Sequence, residues 1–480
     1  MSTDQIPDAP VRTPGAAPAA PRPARPKVGA ALRPLLLRLH FFAGLLIAPF
    51  LLVAAVTGLL YAGSWQAERL VYAHELTVEN PGSHPLPLGA QVDAARAAAP
   101  DGEVVSVWPA PDPGSTTRVL MEAPGLAEGE TRTVFVNPYT GDVHGQLTTV
   151  GDALPLRAWL STLHADLHLG PVGRNYSELA ASWLWIVALG GLALWIGRRR
   201  ARRADLVRPD RRATGRRRAL SWHATVGLWA VAGLVLLSAT GLTWSKYAGE
   251  NIGQLRESLG QATPSVSAAL DGAAPGGADE HAGHTMAPGE TMPEPAAGAD
   301  VGLDRAWAAA RAAGVTEEVR ITLPTPGTGY VFKEQDKQVP VHLDAVSVNP
   351  ADGTVLDELR FADQPLLAQA TRFGIDLHMG LTFGLANQLA LAALALALIL
   401  VIVQGYRMWW LRRPTKDRRL SVGRAQPRGA WRKVPVTALL PLAAVTALVG
   451  WFAPLLGWSL LAFLVVDGVL GLVARRRAKA

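Results

Sequence analysis

The chain has 480 residues, a formal net charge of +7, 49% hydrophobic residues and no cysteine. The missing cysteine excludes disulfides, cysteine-ligated iron–sulfur clusters, thiolate-ligated haem and covalent CxxCH haem attachment. The positive charge is confined to short segments between long apolar runs, so it reports membrane topology and gives no support for nucleic-acid binding.

In chain order, residues 1–34 are rich in Pro and Ala and read as a disordered cytoplasmic arm. Apolar spans are expected near 37–62, 177–197, 220–245, 378–406, 434–453 and 456–474, each close to the length a helix needs to cross a bilayer. Backbone groups cannot stay unpaired in lipid, so these spans must be helical. The organisation expected is a membrane helix at 35–62, an outer domain at 63–155, and an outer helix with a second membrane helix at 156–197. A basic loop follows at 198–219, then a third membrane helix at 220–245 and a second outer domain at 246–371 containing a linker at 262–299. A fourth membrane helix at 372–406, a basic loop at 407–433, a helical hairpin at 434–474 and a basic tail at 475–480 complete the chain. Residues 198–218 hold eleven Arg against two Asp, whereas 63–155 carry twelve acidic and four basic residues. The positive-inside bias therefore puts the basic loops and both termini in the cytoplasm and the two long loops outside, in a multi-pass protein of the cell (inner) membrane.

The chain repeats itself. The run starting at His40 aligns without a gap with the run starting at His223, pairing Gly44 with Gly227, Thr57 with Thr240 and Gly58 with Gly241. A second match sets Asp166-Leu167-His168 against Asp376-Leu377-His378, followed by Gly170 and Gly380. Both outer domains begin with a helical pattern, continue as strands, and end on a hairpin in which Val136-Asn137-Pro138 and Gly141 match Val348-Asn349-Pro350 and Gly353. Asn-Pro opens such a turn and the Gly supplies its left-handed position. The fold class expected is a four-helix membrane core of two tandem repeats, a C-terminal helical hairpin, and two small α+β outer domains of roughly 60 residues each, near the lower limit for independent folding.

Ionisable groups in membrane helices are costly and mark functional sites. Imidazole is an axial haem ligand, and bundle cofactor sites are built from facing helices. His40 and His223 are therefore expected to hold one cofactor at the inner leaflet, with Gly44 and Gly227 on the same helical face to admit a flat ring. His168 and His378 are expected to hold a second at the outer face. His164, four residues before His168, is the alternate outer residue, and Asp166 and Asp376 are candidate partners of the ligating histidines. Arg38 is a candidate partner for a haem propionate, and Asp467 is an ionisable residue within the last apolar run. His281, His284 and Met286 offer soft donors that suit copper, in a Gly/Pro/Ala-rich segment.

The LHFFAGL and WHATVGL helix starts, the LHADLHLGPVGRNY and DLHMG segments and the two VNPxxG hairpins resemble the PepSY-associated transmembrane family over about residues 35–412. That family includes bacterial iron-regulated membrane proteins and ferric-siderophore reductases. The resemblance implies PepSY-type outer domains and, for reductase members, haem. It points to two b-type haems and to transmembrane electron transfer that reduces a ferric chelate or siderophore outside, for iron uptake. The electrons would come from a cytoplasmic or quinol donor, because no dinucleotide or flavin fingerprint is present. The alternatives are a membrane-anchored PepSY regulator or inhibitor of peptidases, and a copper or metal uptake component.

Overall fold

The computed structural model describes residues 28–197, 207–270, 300–316, 318–339, 341–412 and 428–477. The first copy of the repeat begins with α1 (Val28–Leu46) and α2 (Ala48–Val71), which part at Ile47 because Pro49 has no N–H to continue the ladder. A single turn, α3 (Ala73–Leu76), and α4 (Leu88–Ala98) precede the strands β1 (Glu103–Trp108), β2 (Thr117–Glu122), β3 (Glu130–Val136) and β4 (Val143–Val150). Helices α5 (Pro155–Asp166) and α6 (Pro171–Ile196) return to the bundle, each with its proline in the first turn, where the missing donor costs nothing.

The second copy runs through α7 (Gly215–Thr243), α8 (Tyr247–Ser258), α9 (Leu303–Ala312), β5 (Val319–Thr322), β6 (Tyr330–Glu334), β7 (Ala345–Val348) and β8 (Val355–Leu359). It ends on α10 (Leu366–Met379) and α11 (Gly384–Trp410), and α12 (Val436–Phe452) and α13 (Pro454–Arg477) follow. Among the described residues, α2, α6, α7, α11 and α13 are long and apolar enough to cross a membrane, and α12 is a shorter apolar helix. The span expected to start at 378 instead starts at Gly384. His378 belongs to the separate helix α10, which stops at the left-handed Gly380.

The bundle closes as a ring in which α1 and α2 pack on α6, α6 on α7, α7 on α11, and α11 on α2. Helix α13 lies against α6, where the Trp183 indole donates to Ser459 Oγ at 2.9 Å. Asp467 of α13 accepts from both Arg38 and Arg428, so the acidic residue in the last apolar run is paired and Arg38 is engaged.

All eight strands form one antiparallel sheet in the order β4-β3-β2-β1-β5-β6-β7-β8. The two α+β units are thus halves of a single sheet, joined where Ser106 and Val107 of β1 pair with Thr322 and Ile321 of β5. Alternation puts Val107, Met121, Val134, Ile321, Phe332 and Val346 on one face, packed with α4 and α9 into one continuous core. Merging two sheets of marginal size gives each half more buried apolar surface than it would have alone. Both VNPxxG turns form as expected: Asn137 and Asn349 accept from the backbone two residues on, and Gly141 and Gly353 take φ of 79° and 78°. The opposite face of the sheet carries Ser106, Trp108, Arg118, Thr133 and Arg320.

Candidate functional site

Four imidazoles meet in two pairs inside the bundle. His40 on α1 and His223 on α7 have ring centres 6.0 Å apart, with planes at 79°. The second pair is His164 on α5 and His378 on α10, with centres 6.4 Å apart and planes at 59°. The expected pairing of His168 with His378 does not form. Helix α5 ends at Asp166, and Leu167 and His168 both take positive φ, 58° and 56°, which turns the chain away. His168 is exposed and packs at a tilt on Trp159, with ring centres 4.9 Å apart.

Each imidazole is oriented in the same way through its Nδ1. His40 Nδ1 lies 3.1 Å from the Val187 carbonyl and His223 Nδ1 lies 2.8 Å from the Val401 carbonyl. A carbonyl oxygen can only accept, so both Nδ1 atoms carry the proton. His164 Nδ1 is 2.9 Å from Thr57 Oγ1, and His378 Nδ1 is 2.6 Å from Thr240 Oγ1. Each threonine hydroxyl already donates to carbonyls of its own helix, Val53 and Ala54 for Thr57, Leu236 and Leu237 for Thr240. Its oxygen therefore accepts from the histidine. All four rings are Nδ1–H tautomers, assigned from this network, and all four Nε2 atoms are left with a lone pair. Fixing one ring nitrogen to set the other for a metal is the usual arrangement of a metal-ligating histidine.

Glycines make room for the rings. A Cβ on Gly191 would stand 3.1 Å from His40 Cε1, and one on Gly405 would stand 3.7 Å from His223 Cε1. These glycines lie four residues after Val187 and Val401, so each neighbouring helix presents a carbonyl and a bare turn together. Gly58 and Gly241 do the same for His164 and His378, at 3.1 and 3.7 Å. Gly44 and Gly227 do not touch the histidines: a Cβ on Gly44 would meet nothing within 4 Å, and one on Gly227 only Val401 at 3.9 Å. Open space beside Gly44 is what a flat ring would need. The aspartates act elsewhere, Asp166 accepting from the His168 backbone and Asp376 paired with Arg372.

Two imidazoles binding one metal ion from opposite sides through Nε2 stand with centres about 6.3 Å apart, taking a metal–nitrogen distance near 2.05 Å plus about 1.1 Å within each ring. The observed 6.0 and 6.4 Å match that spacing. Among the described residues no cluster of three or more His, Asp or Glu could hold a metal by itself. A metal at either pair would take its remaining donors from outside these side chains, as a macrocycle would supply them. Thr240 lies seventeen residues beyond His223 on the same helix, so the two sites are separated by about 25 Å along the bundle, close to the hydrocarbon thickness of a bilayer. His281, His284 and Met286 lie outside the described residues.

A buried ionic cluster joins the sheet to the bundle beside the second pair. Arg157 at the start of α5 donates from Nε and from its backbone N to the Glu68 carboxylate, at 2.9 and 3.0 Å. Asp152 lies 3.4 Å from the same guanidinium and 3.7 Å from Lys337. Burial alone would raise the Asp152 pKa, but Arg157, Lys337 and Arg118 outweigh it and hold the carboxyl at about 2. The guanidinium also sits 3.9 Å from the Trp65 ring centre, and the Trp65 indole donates to the carbonyl of Met379, the residue after His378. Nothing in the sequence pattern singled out this cluster, because its members come from α2, the end of β4, α5 and the turn after β6.

A bundle of membrane-crossing helices with paired histidines near both ends, capped by a single antiparallel sheet, defines a multi-pass membrane protein with a sheet-containing domain outside the bilayer. The sequence profile of the PepSY-associated TM region matches residues 37–412, and the chain belongs to that family. Comparison with curated proteins found no match.

Proposed function

We propose that the protein is a di-haem transmembrane electron-transfer protein that reduces ferric iron, held by a siderophore-type chelator, on the outer side of the cell membrane. The observation that carries this reading is the common state of the four imidazoles, brought together in two pairs with ring centres 6.0 and 6.4 Å apart and each Nδ1 held by a carbonyl or a threonine hydroxyl. His40 and His223 would hold the inner haem, and His164 and His378 the outer one. Non-covalent haem b is the form compatible with a chain that has no cysteine. When bound, haem supplies one-electron redox chemistry at both faces of the membrane.

The chain's own contribution is orientation and insulation. The Val187 and Val401 carbonyls and the Thr57 and Thr240 hydroxyls fix the rings and keep their protons away from Nε2. The positive-inside bias of the basic loops supports an inner pair on the cytoplasmic side with both termini, within reach of a cytoplasmic or quinol donor. A reading as a peptidase regulator leaves the four matched imidazole networks without a role.

Protein reduced chemically under anaerobic conditions and mixed with a ferric chelate is expected to reoxidise while ferrous iron accumulates in a trapping assay. Reduced protein that keeps its spectrum, with no ferrous iron released, would contradict the reductase function.

A further inference from the structure

The histidine pairs do not account for a cavity of about 520 Å³ under the β1–β2 turn, between the sheet and the end of α2. Its volume falls in the range of small-molecule sites. Trp108 and Arg118, cross-strand neighbours on the face opposite the apolar core, both line it. Each carries unmet donors. The Trp108 indole N–H is buried with no acceptor. The Arg118 guanidinium, 5.7 Å from the Trp108 ring centre and 6.0 Å from that of Phe135, makes no hydrogen bond or ion pair with any described residue. Burial, then the neighbouring Arg157, push the pKa of this half-buried cation down, against the pull of Asp152, Glu68 and Glu318. A buried donor without a partner is costly, and a buried charge more so, unless something fills the site.

Two carboxylates also line the cavity, and neither answers these donors. Asp112 accepts from the Gly114 N–H and the Ser115 hydroxyl of its own turn. Glu318 makes no hydrogen bond to either donor; partial burial and Asp336 push its pKa up, while Lys337 and Arg118 draw it down. The exposed Arg69 adds a second cation to the lining. Arg118 also borders the ionic cluster of Asp152 and Arg157, and Arg157 lies on Trp65, whose indole reaches the backbone beside His378. A chain of packed side chains thus links the cavity to the second histidine pair, with Arg69 of the lining about 18 Å along α2 from Thr57.

We infer that this cavity is the docking site for the acceptor and selects an anionic, carboxylate-bearing ferric chelate, with the Arg118 guanidinium and the Trp108 indole N–H as its recognition donors. The assignment of the ligand as an acceptor rests on the reductase reading; the anion site itself does not. Charge-assisted hydrogen bonds make a planar guanidinium the natural partner of a carboxylate.

The test is equilibrium binding of ferric citrate to the oxidised full-length protein in detergent, where no turnover occurs. Arg118→Gln should weaken binding by roughly 10–100-fold, the loss expected for hydrogen bonds to a charged group. Trp108→Phe, which keeps the ring and removes only the N–H, should weaken it by roughly 3–10-fold, as for a neutral hydrogen bond. Cationic ferric ferrioxamine B should not compete. Undiminished binding to Trp108→Phe and Arg118→Gln, or equal binding of iron-free citrate, would overturn the assignment. The two readings fail separately. Haem-free protein that still binds ferric citrate through Arg118 would keep the site and remove the redox function. Arg118→Gln protein reoxidised by ferric citrate as fast as wild type would keep the redox function and remove the site.

Discussion

His378→Ala, produced with haem supplied, is expected to hold one haem per chain, against the two expected of the wild type. His164→Ala should lose the same haem, because its ring faces His378 at 6.4 Å and each supplies one Nε2. His168→Ala should keep both, since its ring is exposed on Trp159 and away from the pair. Thr240→Val should be milder: it removes the acceptor that fixes the His378 tautomer but leaves the ligand, a change worth about 10–100-fold in affinity. Haem stoichiometry by pyridine haemochrome, with the remaining spectrum as a control for folding, checks the series. Loss of the outer haem from His168→Ala with retention in His164→Ala would reverse the assignment.

Arg157→Ala is expected to cost about 3–5 kcal/mol, the range for removing one partner of a buried ion pair and leaving the other uncompensated. Glu68 would lose the Nε hydrogen bond, keeping the one from the backbone N–H of residue 157, and Asp152 would lose its nearest cation. Replacing both partners, Arg157→Met with Glu68→Leu, should recover the part of the loss that comes from stranding Glu68, with Asp152 left to Lys337. Urea or thermal unfolding in detergent reads the difference; a single variant as stable as wild type would show that the cluster does not hold the junction together. The same cluster sets an acid limit. Asp152 is held at about 2 against an ordinary 3.8, so its contribution is fully present above 3.8 and is lost as the pH falls through 2.

Much of the core was legible in the sequence because the apolar runs of the two copies align without a gap, although the first is split between α1 and α2 at Ile47. His40 with His223 was visible as a pair, and the same gapless alignment contained Thr57 with Thr240 and Gly58 with Gly241. Those four residues turn out to be the seats of the outer histidines. Their role could not be seen from alignment alone, since it depends on α5 and α10 folding back beside α2 and α7. The outer pair was misread for a local reason. Asp-Leu-His occurs in both copies, but in the first copy the helix ends before His168, and consecutive left-handed residues at 167 and 168 leave His164 as the last histidine on it. A match of letters did not preserve the match of helical phase. The valine–glycine seats at Val187–Gly191 and Val401–Gly405 carried a signal, equal spacing on two helices, that passes for ordinary membrane-helix composition. The joining of two α+β units into one sheet left no mark in either unit, because β1 and β5 alternate as strands whether their edges are free or paired.

The central claim is that four imidazoles hold two haems. The most direct measurement is the reduced-minus-oxidised absorption spectrum of purified full-length protein, produced with haem supplied, together with its haem content per chain. Two haem b per chain, both in the low-spin form that two imidazole ligands give, is the result expected. Folded protein with no Soret absorption would contradict it.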